Sequence, residues 1–350
     1  MEETNKKILI VRLSALGDTI HTLPLLNALK ELYPNSSVDW VVEDKCSAFI
    51  RNNPLINNLY VIPKKKWKKR KNKLKNFFDF ISVIKHIRKT NYDIIIDVQQ
   101  LLKSAVFTAL SKGKRKIAQE GGREFSTLFS NEIIKTEREI FDINYHVVQR
   151  NLDIARYLGW KGTEIKFPLA DVNQETKEKA DILLKETNPD IPSIILAPAT
   201  TWSNKHWITE NWVDIIKAVS NRANIIITGS NRDRKLSDEI ISKSGAKIID
   251  LTGKTTLKEL REVISRADIV ISPDSGTAHI AWAVNKPKII TLFFSTSKNR
   301  TAPFGENYFS IQAKTPCSPC MKKKCRYKTE ECRNKIDASE IINIVNNILT

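Results

Sequence analysis

The sequence predicts an α/β protein made of two doubly wound parallel-sheet domains. Three observations carry this prediction. Short β-branched runs alternate with helical patterns, the alternation stops near the middle of the chain and begins again, and 350 residues exceed what a single hydrophobic core comfortably sustains.

The first alternation opens with a strand at Lys7-Ile-Leu-Ile-Val-Arg12, a turn at Leu13-Ser-Ala-Leu-Gly-Asp18 and apolar residues at helical spacing from Thr19 to Leu32. Further strands are expected at 38–42, 59–62 and 94–96, with a helix over 77–88. The second alternation runs through strands at 193–197, 225–228, 247–250, 269–271 and 288–292. Between the two lies a polar stretch, 171–190, which reads as a linker holding one helix. We therefore expect a first domain over 1–180 and a second over 181–336. The amphipathic segment 337–350 is expected to form a helix that packs back, on the first domain. Ligands of such folds bind outside the carboxyl ends of the strands, so a cleft between two facing sheets is expected.

Composition narrows the partners. An apolar share of 41% with 27% charged residues is that of a globular protein and excludes global disorder. Apolar runs such as 94–96 and 289–294 fall far short of the ~20 residues that cross a bilayer. The first residues lack the apolar core of a signal peptide, so a cytoplasmic location is expected. Lysine and arginine number 57 against 39 acids, a net +18 that favours an anionic partner. Eight of the nine residues from Lys64 to Lys73, leaving out Asn72, are lysine or arginine, among them Lys66, Lys68 and Lys71, and the ninth is Trp67, a density that suits acceptor carboxylates and phosphates or an anionic lipid surface. The apolar stripe of Phe77, Phe78, Phe80, Ile81, Ile84 and Ile87 is expected to pack in the core, the alternative being a shallow membrane-facing surface of an amphipathic helix. No zinc finger, helix-turn-helix or aromatic RNA platform accompanies the charge, so no nucleic acid is expected.

Several strand ends carry candidate chemistry. Asp18, after Gly17 in the first turn, either meets a ligand in the cleft or caps the helix that follows. Thr200, Thr201 and Lys205 lie in the loop after the first strand of the second domain, where they form an oxyanion-type site or a solvated loop beside Trp202, Trp207 and Trp212. In Ser272-Pro-Asp-Ser-Gly-Thr-Ala-His279, backbone donors at Ser275, Gly276 and Thr277 open a helix that can receive a pyrophosphate, with Asp274 beside them. Asp233, in the loop Thr228-Gly-Ser-Asn-Arg-Asp233 that follows another strand of the same sheet, is placed to accept from ribose hydroxyls. Cys317, Cys320, Cys325 and Cys332 have ligand types suited to zinc but not the spacing of a standard finger, and no catalytic role is assigned to them. The five histidines are scattered, so no metal site is expected from them.

Taken together and in order, the segment from Lys7 to Pro24, Thr-Thr-Trp-Ser-Asn-Lys-His-Trp and Asp-Ser-Gly-Thr-Ala-His resemble the ADP-heptose:lipopolysaccharide heptosyltransferases of glycosyltransferase family nine, nearest to heptosyltransferase I. The resemblance implies a GT-B architecture of two Rossmann-like domains. It implies an inverting, metal-independent transfer of L-glycero-D-manno-heptose from ADP-heptose to the Kdo region of the lipopolysaccharide inner core, with no cofactor. A later-acting heptosyltransferase is the alternative, and a non-catalytic polyanion-binding protein is the alternative of another class. On this resemblance Asp18 is the general base, and Lys205, with Thr200 and Thr201, stabilises the departing diphosphate. Asp233, Lys254, Thr255, Asp274, Ser275, Gly276, Thr277 and His279 would hold the donor. Ser14, Gly17, Lys66, Lys68, Gln99, Lys103 and Arg123 would hold Kdo-modified lipid A or a heptosylated core, at the cytoplasmic face of the inner membrane. One departure from the pattern is Gln100, where many relatives have glycine.

Overall fold

In the computed structural model, residues 5–70, 72–136, 138–139 and 141–350 are described. Lys71 of the basic run and the first four residues lie outside them. The described chain divides into two units, 1–171 and 172–350.

The first unit holds a six-stranded parallel sheet: β1 (Lys7–Val11), β2 (Ser37–Glu43), β3 (Asn58–Ile62), β4 (Tyr92–Asp97), β5 (Gly113–Gln119) and β6 (Glu132–Ile134). Their order is β3-β2-β1-β4-β5-β6. The helices are α1 (Leu16–Ile20), α2 (Leu23–Leu32), α3 (Asp44–Ile50), α4 (Lys64–Lys69), α5 (Lys73–Ile87), α6 (Leu102–Leu110) and α7 (Val147–Tyr157). Ile8, Leu9, Ile10 and Val11 are fully buried, as are Ile95 and Ile96. Central parallel strands are covered on both faces, which is why they are apolar throughout and do not alternate. The single helix expected from Thr19 is two helices, because Pro24 sits at the start of α2 and forces a new N-terminus there.

The second unit repeats this plan. Its strands are β7 (Ser193–Leu196), β8 (Asn224–Ile227), β9 (Ile249–Asp250), β10 (Ile269–Pro273), β11 (Lys288–Phe293) and β12 (Tyr308–Gln312), in the order β12-β11-β10-β7-β8-β9. Counted within the unit and viewed from the other edge, that is the same strand order as the first sheet. The helices are α8 (Gln174–Leu184), α9 (Thr209–Val219), α10 (Arg234–Ser244), α11 (Leu257–Ile264), α12 (Gly276–Val284), α13 (Lys298–Thr301) and α14 (Ala338–Leu349). Trp207 and Trp212 are buried edge to face, ring centroids 5.3 Å apart, in a core with Ile194, Ile216, Ile271 and Leu292.

Two expectations about organisation are corrected. The boundary falls at 171/172, not at 180, because α8 belongs to the second unit, where Asp181 pairs with Arg266 and Lys177 O accepts from the same guanidinium. The C-terminal helix does not pack on the first unit. Ile341 and Val345 of α14 are fully buried in the core of the second, and Ile336 O just before it accepts from Trp207 Nε1 at 3.0 Å. Among the described residues, no helix is long and apolar enough to cross a membrane.

Candidate active site

Each sheet reverses its winding between its first and fourth strands, β1 and β4 in one unit, β7 and β10 in the other. Loops leaving the carboxyl ends of such a pair diverge, and the crevice they open is where these folds hold ligands. The predicted residues fall mainly on those loops.

In the first unit, the β1 and β4 loops are tied together by Gln99, whose Oε1 accepts from Leu13 N at 2.8 Å and Ser14 N at 3.3 Å. Arg12 is buried beneath them, with Nη1 donating to Val98 O at 3.0 Å and Nη2 3.0 Å from Asp18 Oδ1. The other oxygen of Asp18 accepts from Ala15 N at 3.1 Å. Asp18 thus closes the first turn of α1 and still presents a side chain that is 43% exposed, so capping and ligand contact are compatible. Gly17 lies inside α1 with helical backbone, so the turn does not depend on a left-handed glycine there.

Below the loop, Asp97 at the end of β4 accepts from Gln99 N, Gln100 N and Ser104 Oγ at 3.0, 2.8 and 3.0 Å. Burial outweighs these donors and pushes its carboxyl up to about 6. Gln100 takes φ +55°, the left-handed region that glycine adopts freely, and its Nε2 donates to Gln119 O. A backbone demand that glycine would meet freely is thus met here by a hydrogen-bonded glutamine.

Glu43, at the end of β2, is the residue the sequence reasoning missed here. It is 2% exposed, and Lys64 at 2.7 Å, Lys103 at 3.2 Å and Lys45 at 3.5 Å converge on it. Lys103 also donates to Ser14 Oγ at 2.7 Å. Burial alone would raise the Glu43 carboxyl, but Lys64 and Lys103 together hold it below its ordinary value. Three ammonium groups on one carboxylate leave the cluster positive, beside Ser14 and the β1 loop. Its signal was an acid at a strand's carboxyl end, the rule that singled out Asp233. Of the predicted basic residues, Lys66 lies 3.7 Å from Asp79, Lys68 is exposed on α4, and Arg123 stacks 4.3 Å over Phe141 while its backbone N donates to Gln100 O.

In the second unit, Lys205 and Asp274 meet across the switch point. Lys205 Nζ donates to Asp274 Oδ2 at 2.8 Å and to its carbonyl at 2.5 Å, and both residues are buried. Lys205 is therefore no solvated surface charge. Asp274 Oδ1 lies 3.3 Å from His279 Nε2 and accepts from Thr301 Oγ1 at 3.3 Å. Burial would raise this carboxyl, yet Lys205 and His279 reverse the effect and hold it well below the usual range. An ammonium has three protons; two are engaged by Asp274, leaving one for a ligand oxygen. Immediately after Asp274, Ser275 stands at the N-terminal cap position of α12 with its hydroxyl bonded to Ser272 Oγ and not to the helix, and Gly276 and Thr277 form the first turn, where backbone N–H groups have no helical acceptor.

The other predicted donor residues shape neighbouring loops. Thr200 Oγ1 donates to Trp202 O and accepts from Trp202 N, both at 3.1 Å, while Thr201 is exposed. Asp233 accepts from Ser230 N and Oγ at 2.7 Å. The loop bearing Lys254 and Thr255 joins the Asp233 loop through Gly253 N, which donates to Gly229 O at 2.8 Å.

The Lys205 loop is itself clamped by the cysteine-rich segment. Asn204 Nδ2 donates to Lys322 O at 2.7 Å, and Arg333 Nε donates to His206 O at 2.7 Å, so both neighbours of Lys205 are held. The segment is anchored in turn by Met321 N on Ser295 O at 2.7 Å. Its four cysteines are free thiols, and burial together with the nearby Cys317, Cys320 and Cys325 pushes Cys332 up to about 11. Among the described residues, no group of three or more His, Cys, Asp or Glu is arranged to hold a metal ion. A cavity lined by Asp181, Leu184, Asn188, Arg266 and Asp268 opens at the amino ends of β7 and β10, the edge opposite this site.

Residues 80–330 match glycosyltransferase family 9 (heptosyltransferase). The chain belongs to this family. Among curated relatives, lipopolysaccharide core heptosyltransferase OpsX of Haemophilus influenzae is 28% identical over 88% of this chain and 85% of its own length. Lipopolysaccharide heptosyltransferase 1 of Pseudomonas aeruginosa is 26% identical over 95% and 91%, and lipopolysaccharide heptosyltransferase 3 of Escherichia coli is 27% identical over 85% and 86%. A glycosyltransferase family 9 structure from Veillonella parvula superposes with TM-score 0.83 at 18% identity, covering 100% of this chain and 98% of that one. The E. coli heptosyltransferase WaaC with ADP gives TM-score 0.76 at 22% identity, over 98% and 99%. Two parallel six-stranded sheets matched over full length give this family 9 chain the GT-B fold of the heptosyltransferases.

Proposed function

We propose that this heptosyltransferase-family chain transfers L-glycero-D-manno-heptose from ADP-heptose to the Kdo region of a lipid-linked lipopolysaccharide inner core, as heptosyltransferase I does. The observation that carries the reading is the pairing of two switch-point sites on a family 9 chain: a carboxylate held by Arg12 in one unit, and a buried ammonium beside an open helix N-terminus in the other. The names of relatives that act on lipopolysaccharide, and of a structural neighbour with ADP bound, support the acceptor and the donor.

Asp18 takes the proton from the acceptor hydroxyl as its oxygen attacks the anomeric carbon. The bond to ADP breaks on the opposite face, so the configuration inverts in one displacement. Lys205, through its third proton, and the first-turn N–H groups of α12 receive the charge that gathers on the leaving diphosphate, and no metal is needed for that role. Asp274 and His279 hold Lys205 and border the heptose, and Asp233 with Lys254 and Thr255 lies toward the ribose and base. Ser14, Gly17, Gln99, Lys103 and Arg123, with Lys66 and Lys68 outside them, offer hydrogen bonds and positive charge to Kdo carboxylates. The chain works at the cytoplasmic face of the inner membrane, where its lipid-linked acceptor resides.

The test is release of ADP from ADP-heptose, with EDTA present, with and without Kdo-modified lipid A. Acceptor-dependent release carries the reading. Turnover only on an already heptosylated core assigns a later transfer step, activity lost to EDTA removes the metal-independent mechanism, and silence with both acceptors leaves a polyanion-binding protein.

A further inference from the structure

Helix α5 has two halves in different surroundings. In the second half Ile84 and Ile87 are buried against Val11, Tyr92 and Phe107, and Phe80 packs edge to face on Phe107 at 5.5 Å. This half meets the expectation that the stripe packs in the core. The first half corrects it: Leu74, Phe77 and Phe78 are 70, 57 and 65% exposed. At spacings of three and four residues they share one side of the helix, and the two rings lie 6.2 Å apart.

The charge around these side chains is of one sign. Between Lys64 and Lys85 there is one acidic residue, Asp79, against ten lysines and arginines. Asp79 is engaged by Arg70 at 2.9 Å, Lys66 at 3.7 Å and Trp67 Nε1 at 3.2 Å, and Lys64 turns to Glu43. Among the described residues, Lys68, Lys69, Lys73 and Lys75 form no ion pair. Three large apolar side chains flanked on their own helix by Lys73 and Lys75, neither in an ion pair, match the boundary of an anionic bilayer, where the rings leave water for the acyl edge and the ammonium groups meet phosphates. A nucleic acid would satisfy the lysines but leave Leu74 and the outward edges of both rings in water.

We propose that Leu74, Phe77 and Phe78, flanked in α5 by Lys73 and Lys75, dock the protein on a membrane surface rich in anionic phospholipid. This deepens the reading of a lipid-linked acceptor by naming the face that meets the bilayer, and it is measured without any substrate. The experiment is co-sedimentation of the full chain with phosphatidylcholine vesicles, with and without phosphatidylglycerol, and fluorescence titration with a single-stranded polyuridylate. We expect binding to the anionic vesicles alone, weakened by about tenfold both in Phe77→Ser/Phe78→Ser and in Lys73→Glu/Lys75→Glu. Glutamates near the first turn suit the helix dipole, and circular dichroism with unchanged ADP affinity shows that both variants fold. Equal binding to neutral vesicles overturns the proposal, as does anionic binding that survives loss of both phenylalanines. Polyuridylate binding tighter than vesicle binding and insensitive to Phe77→Ser/Phe78→Ser overturns it in favour of a nucleic-acid surface. Absence of transferase activity with vesicle binding intact would count against the proposed reaction and leave the docking surface standing.

Discussion

Asp18 and Lys205 sit in different surroundings, and replacing each should separate turnover from binding. Asp18 is 43% exposed and belongs to the first unit, to which the proposed reading assigns the acceptor, so Asp18→Ala should lower kcat by roughly 10²–10⁴ while ADP affinity, measured by calorimetry, stays within about twofold. Lys205→Ala removes the partner of a buried carboxylate. It should lower kcat by roughly 10²–10³, weaken ADP binding, and cost about 3 kcal/mol in denaturant unfolding. Equal loss of ADP affinity in both variants would refute this division of roles. Asp97 gives a pH test. Its carboxyl is raised to about 6 from 3.8, so the folded state binds the proton more tightly than the unfolded chain. Its contribution is full below about 4, falls as pH climbs to about 6 and is lost above, a change on the order of 3 kcal/mol. Asp97→Asn should remove that slope from the difference between the two stability curves. Asp274 works in the opposite sense, its contribution present above about 4 and lost on acidification through its depressed pKa. Asp18, Lys205 and Asp274 were legible in the sequence because each follows a strand. Glu43 also ends a strand, but besides its neighbour Lys45 it gathers Lys64 and Lys103, 21 and 60 residues away, and no local pattern announces that convergence.

At the scale of elements, the Lys205 loop is short, irregular and held from outside. Arg333 and Lys322 reach it from more than a hundred residues along the chain, through His206 O and Asn204. Arg333→Ala should therefore loosen residues 203–206. Losing one charge-assisted hydrogen bond of about 1.5–3 kcal/mol should lower kcat by about tenfold and speed amide hydrogen exchange in the loop. Unchanged exchange would show that the clamp is not what holds Lys205. The elements read correctly were those whose burial is uniform: β1, β4, β7 and β10 are apolar because both faces are covered. Strand β5, Gly-Lys-Arg-Lys-Ile-Ala-Gln, went unread because half of it is charged and only its last three residues are buried. Helix α5 was misread in part, since one apolar stripe serves the core at one end and water at the other; sequence periodicity reports the stripe and not what covers it.

For the whole molecule, two units with separate cores and separate ligand assignments should respond separately to ligand. ADP at about a hundred times its Kd should stabilise the unit that binds it by about 2.7 kcal/mol. In calorimetry we expect ADP to raise one transition, that of 172–350, and leave the other in place. A common shift of both would mean that the units unfold as one. Truncation before Ala338 should lower the ADP-sensitive transition, because Ile341 and Val345 belong to that core. The two alternations, and hence two parallel sheets, were legible from β-branched runs. The boundary and the docking of α14 were not, since an amphipathic helix records that it has an apolar partner without saying which.

The repeated strand order also has a genetic consequence. Because each sheet carries its own switch point within one unbroken stretch of chain, on the proposed reading acceptor recognition is encoded before residue 172 and donor recognition after it. Selection for a new acceptor can then act on the first half of the gene while the second drifts under a different constraint. A crossover at that codon, between two members of the family with unlike acceptors and a shared donor, would exchange the accepted sugar and keep the nucleotide.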